Sequence, residues 1–232
     1  MNSQRGVALI LAMLATSFLS AVGLGLAVMV FMDRLATGNM RGSVALLHAA
    51  DAGIELAAHD LARTDWNAAL AGLAQASFSD GTPTGVRAIP GGDGVNLDAE
   101  TNEINCGTAS TCTAAQMTAN TAARPWGVNN PHWRLYAFGP LERVAAVAHP
   151  APCYLAVWIA DDVREEDGDP LVDGEVHGRG VLRVRAVAFG PSRSRRAIEA
   201  ELARVCSGAA AEEMCRPGIR VQSWRELRQL VP

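Results

Sequence analysis

The sequence contains no lysine; all 20 of its basic residues are arginine. Arginine keeps its charge and forks onto carboxylates, but a missing residue type reflects composition rather than mechanism. Aromatics are few, 5% of the 232 residues, which leaves the core of any soluble domain to Val, Leu, Ile and Ala. An excess of positive charge is also missing. The formal net charge is -4, which argues against a nucleic-acid binder with its basic face. Short catalytic signatures are absent as well: no GxSxG, no phosphate-binding GxxxxGK[ST] loop, no HExxH and no CxxC. The histidines His48, His59, His132, His149 and His177 are scattered. His48 and His59 stand about three helical turns apart, too far to share a metal. Nothing in these patterns points to an enzyme.

The longest absence is that of charge, from residue 7 to residue 32. At about 1.5 Å per helical residue this run covers a hydrocarbon core of about 30 Å with some to spare. Arg5 precedes it and Asp33, Arg34 and Arg41 follow, which gives only a weak orientation signal. An ordinary secretory signal would be cut near Gly25-Leu26-Ala27 and would leave VMVFM at the new amino terminus. A signal anchor followed by a linker is the other plain alternative. The residues after Asp33 predict something more continuous. Met40, Leu47, Ile54 and Leu61 recur every seven residues, with Val44 and Ala58 four after two of them and Asp51 at the matching place between. That is an amphipathic helical stripe. Its polar interruption at Asp51 favours a helix packed on a domain over a free coiled coil. Gly23, Gly25, Gly38 and Gly42 weaken the helix locally by about 1 kcal/mol each relative to Ala. One helix is expected from Val7 to about Arg63, half in lipid and half amphipathic.

Three stretches occur in order: Arg5-Gly6-Val7-Ala8-Leu9, Thr37-Gly38-Asn39-Met40-Arg41 and Ala49-Ala50-Asp51-Ala52-Gly53. Together they resemble the N-terminal region of PilX-type minor pilins, which typically read RGxALxxAL, then a stretch like AGNLR, then AAEAG. Asp51 stands where Glu is usual. The resemblance implies an α+β, type IV pilin-like fold: a long N-terminal helix, transmembrane and then amphipathic, packed on a small antiparallel sheet domain. It implies a leader at residues 1–6, cut by the prepilin peptidase after Gly6, with methylation of Val7. The helix would occupy 7–63, with 7–32 in the membrane, and 64–232 would form a periplasmic domain. The location implied is the inner membrane of a Gram-negative bacterium and later the pilus filament at the cell surface. The partners implied are other minor pilins, major pilins and the prepilin peptidase, with a tip adhesin as a further candidate; no nucleic acid is among them.

Major pilins carry Glu as the fifth residue after the cut, and here that residue is Leu11. In the family this Glu is thought to neutralise the amino terminus of the preceding subunit. A buried ammonium and carboxylate stabilise each other only when both are present. A subunit without the carboxylate suits a place at or near the filament tip. The K-type pseudopilin of type II secretion also lacks it, so a minor pseudopilin is one alternative. A signal-anchored periplasmic binding domain is another.

Residues 64–130 are rich in Gly, Ala, Thr, Ser and Asn, with short helices expected at 66–76 and 114–122. Between them GTPTGVRAIPGGDGVNLD reads as turns. Strands are expected at 133–138 and 154–160, and 181–189 and 195–205 flank GPSRS as an antiparallel hairpin. Alternation puts Leu182, Val184, Ala186 and Ala188 on one face and Arg183 and Arg185 on the other. A turn centred on Ser192 sets Arg183 opposite Glu201 and Arg185 opposite Glu199. Such pairs contribute about 0.2–1 kcal/mol each, and a solvated charged face is expected there. Residues 224–231 suggest a terminal helix with Trp224, Leu227 and Leu230 on one side.

An export signal would put the cysteines in an oxidising compartment, where pairing is expected. Cys106 with Cys112 and Cys206 with Cys215 close short loops and are the expected disulfides, leaving Cys153 over. In the acidic loop Asp161, Asp162, Asp167, Asp169 and Asp173 cluster about a Gly turn. They are candidate ligands for calcium, which takes six to eight oxygens, although the spacing is not that of an EF-hand. A solvated acidic loop is the plainer alternative. No other cofactor is implied.

Overall fold

The computed structural model describes residues 3–89, 91–92, 94–122, 131–144, 152–164, 168–173, 180–204 and 218–227. The first element is helix α1, Ser3–Leu61, and the chain divides into two compact units, Met1–Gly42 and Ser43–Pro232. The helix starts at Ser3 rather than Val7 and ends two residues before the expected Arg63. No proline interrupts it, and its glycines are tolerated without a break. The end is set by local hydrogen bonds. Thr64 Oγ1 donates to the Asp60 carbonyl at 2.9 Å and Trp66 Nε1 to the Leu61 carbonyl at 2.9 Å, which satisfies carbonyls a helix end leaves over. Asp65 then caps α2, Trp66–Leu70, by accepting from the Asn67 and Ala68 amides. This helix stops short of the expected residue 76, and Gly72 beyond it takes a left-handed φ of 77°.

The turn-rich stretch holds more order than its composition suggests. Strands β1, Val86–Ala88, and β2, Gly94–Asn96, pair antiparallel, and α3, Leu97–Cys106, follows at once. Asn96 caps α3 through Oδ1, accepting from Asp98 and Ala99, and Gly107 closes it at φ 67°. Helix α4, Ala114–Ala122, lies where expected.

The remaining elements build one sheet. Strand β3 is Arg134–Pro140, followed by the short helix α5, Leu141–Val144. Strands β4, Tyr154–Asp161, β5, Val181–Phe189, β6, Arg195–Arg204, and β7, Ile219–Leu227, complete it. All five strands run antiparallel in the order β3-β4-β5-β6-β7. With α1 and this sheet the fold is α+β. Strand β7 corrects the expected terminal helix over 224–231. The β6 edge supplies backbone partners from Ile219 to Leu227, and tertiary pairing overrides local helical spacing. Residues 228–231 of that expectation lie outside the described residues.

Every residue of β4 is buried, because both faces of the sheet are covered. Leu155, Val157 and Ile159 join Leu46, Ile54 and Leu61 of α1 in one core. Tyr154, Ala156 and Trp158 join Val95, Leu97 and Trp133 in a second core on the opposite face. That is why the β4 sequence is a continuous apolar run rather than an alternating one. Within Ser43–Leu61 the buried face of α1 comprises Leu46, Ala49, Ala50, Gly53, Ile54, Ala57, Ala58 and Leu61. This corrects the seven-residue stripe: Met40 and Val44 are exposed and Leu47 is half-buried. Small residues in pairs make a flatter and wider face than a heptad seam, as packing on a sheet requires.

The β5–β6 hairpin has the expected register, with Arg183 opposite Glu201 and Arg185 opposite Glu199. Its turn spans Pro191–Arg193, with Ser192 at φ 56°. The charged face is not the solvated one expected, since α3 and Trp133 lie on that side and Glu199 is only 6% exposed.

Candidate functional site

The expected cleavage pair, Gly6 and Val7, lies in the first turns of α1. From Val7 onward the large apolar side chains of the first unit are exposed, Leu11 and Phe18 among them. Thr16 returns its hydroxyl to the Met13 carbonyl at 3.0 Å, so this polar group is satisfied within the helix. Among the described residues α1 is the one helix long and apolar enough to cross a membrane. Its length and composition are those of a membrane anchor or a signal sequence.

Four residues of the Ala49–Gly53 stretch, Ala49, Ala50, Asp51 and Gly53, pack or bond within the domain. Ala49 and Ala50 are buried. Asp51 Oδ1 accepts a hydrogen bond from Trp224 Nε1 at 2.8 Å. Gly53 faces Leu155 and Ala186 so closely that a Cβ there would force Leu155 to shift. Nearby, Arg196 Nε donates to Ser43 Oγ at 2.8 Å and its Nη1 pairs with Glu226 at 3.0 Å. At the far end of this helical segment Asp60 Oδ2 accepts from the Tyr136 hydroxyl at 2.7 Å and from the Ser77 amide at 3.1 Å. Burial pushes the Tyr136 pKa far up, so it stays a hydroxyl donor. The second half of α1 is therefore pinned to the sheet by polar contacts at both ends and by small-residue packing between them.

The opposite face of the sheet carries a charged layer. Glu199 Oε1 takes Arg183 and also Arg225, the latter at 2.7 Å. Arg183 lies 5.3 Å from the Trp133 ring centroid, and Arg195 pairs with Glu100 of α3 at 3.3 Å. Burial pushes the Glu199 carboxyl up, but Arg183 and Arg225 together hold it below its ordinary value. Burial raises Glu100 in spite of Arg195. The sequence reading paired Arg185 with Glu199 and missed Arg225 and Glu100. Local spacing puts Arg225 on a helix, and the residues that form α3 follow a stretch that reads as turns. The signal for α3 was present: Asn96 followed by Asp98 and Glu100 is a helix-start pattern.

Of the candidate calcium ligands, Asp161, Asp162, Asp169 and Asp173 are among the described residues and do not gather as a metal site. Asp161 ends β4, Asp162 follows it, and both are buried. Burial raises the Asp162 pKa. Asp169 Oδ1 accepts from the Leu171 amide at 3.0 Å and Asp173 Oδ1 from the Gly180 amide at 2.6 Å, so both shape the loop backbone. Asp167 lies outside the described residues. Among the described residues no three His, Cys, Asp or Glu side chains gather as a metal site.

Cys106 and Cys112 form a disulfide with a Cα–Cα distance of 5.9 Å. Cys153 is a buried free thiol whose pKa burial pushes up to about 11. Cys206 and Cys215 lie outside the described residues. No protein-family model, curated protein or solved structure matches this chain.

Proposed function

We propose that this chain is a minor pilin that takes part in type IV pilus assembly, at or near the filament tip, with no catalytic role. The prepilin peptidase cuts after Gly6 and the new terminus at Val7 is methylated. Residues 7–32 hold the subunit in the inner membrane, with the following domain in the periplasm, until assembly moves the helix among those of other subunits. Lipid and a bundle of apolar helices are similar solvents, so that transfer is governed by packing rather than by the hydrophobic effect. The domain contacts other minor and major pilins and a tip adhesin.

One observation carries this reading: α1 has no charge from residue 7 to residue 32, and the same helix ends in a segment seated on an antiparallel sheet. Leu11 adds to it. An ionised side chain at the centre of a spanning helix costs about 2.5–3.5 kcal/mol on insertion scales and less towards its ends, and leucine near the start of the span avoids that cost. The same leucine offers no carboxylate to a neighbour's amino terminus, which fits an end position. A minor pseudopilin of type II secretion would share these features. A signal-anchored periplasmic binding domain would keep the apolar helix uncut, whereas cutting at Gly25-Leu26-Ala27, whose small residues suit signal peptidase, would release the domain without it. Filaments sheared from cells and probed for this chain separate the readings. Recovery of the chain with pili supports the first; confinement to the membrane or the periplasm, with normal piliation after its deletion, overturns it.

A further inference from the structure

We draw no further inference here: the strongest candidate, the outer edge of the end strand β7 with its exposed Val221 and Trp224, carries nothing, because nothing in the structure shows what covers it, and its bulge at Gln222 and its charges Arg220, Arg225 and Glu226 are features that blunt an edge against pairing.

Discussion

Gly53 of α1 lies so close to Leu155 of β4 that a Cβ would stand 2.8 Å from Leu155 Cδ1 and 3.2 Å from Ala186 Cβ. Alanine is the better helix former by about 1 kcal/mol. Overpacking a filled core costs about 1–3 kcal/mol, and neither neighbour has solvent to move into. Net of the two, Gly53→Ala should destabilise the sheet domain by up to about 2 kcal/mol, measured as a lower unfolding midpoint of the full chain in detergent. Gly38→Ala is the control. Nothing lies within 4 Å of its added Cβ, so the midpoint should not fall. A midpoint that rises in Gly53→Ala as far as it does in Gly38→Ala would mean that the helix does not seat on the sheet at this distance.

Glu199 gives a prediction with a sign. Its folded pKa lies below the ordinary value because Arg183 and Arg225 outweigh burial. Such a carboxylate contributes stability that is fully present above its unfolded pKa, about 4.3. That contribution is lost as the pH falls through the lower folded value. Glu199→Gln should cost about 3 kcal/mol near neutral pH, because Arg183 loses its buried partner. The gap between parent and variant should then narrow as the pH falls below the unfolded value and through the lower folded one. Glu100 and Asp162, both raised by burial, titrate in the opposite sense, but they are present in both proteins and cancel in the difference. Denaturant unfolding across the pH range measures it; a gap that does not narrow contradicts the assignment.

Legibility in the sequence followed periodicity. The alternation of β5 and β6 was strong enough to set the register residue by residue, and the apolar run of β4 was long enough to find. The α1 segment was recognisable as a helix, but its buried face was misread. Leu46 and the Ala49–Ala50 pair carry it, and alanine contributes little to a hydrophobic stripe. Strand β7 was lost for a different reason. Nearly all its side chains are exposed, so its identity comes from the backbone edge of β6, which no local pattern records. Of the site residues, Cys106 and Cys112 were found by spacing because their loop is short. Clustering in sequence suggests the calcium ligands, but it does not record that Asp161 and Asp162 are buried where β4 ends.

Cys153 should be silent. A buried thiol with a pKa of about 11 holds almost no thiolate near neutral pH. Alkylation of the native, unreduced protein followed by mass spectrometry should leave Cys153 unmodified, and unfolding in denaturant should expose it. Rapid labelling of Cys153 in the native state would contradict its place beneath the sheet.

Mass spectrometry of the mature amino terminus tests the assembly reading most directly. A chain that begins at a methylated Val7, with the apolar helix retained, is the predicted result. An intact Met1, or a chain beginning at Val28 after removal of the helix by signal peptidase, would contradict it.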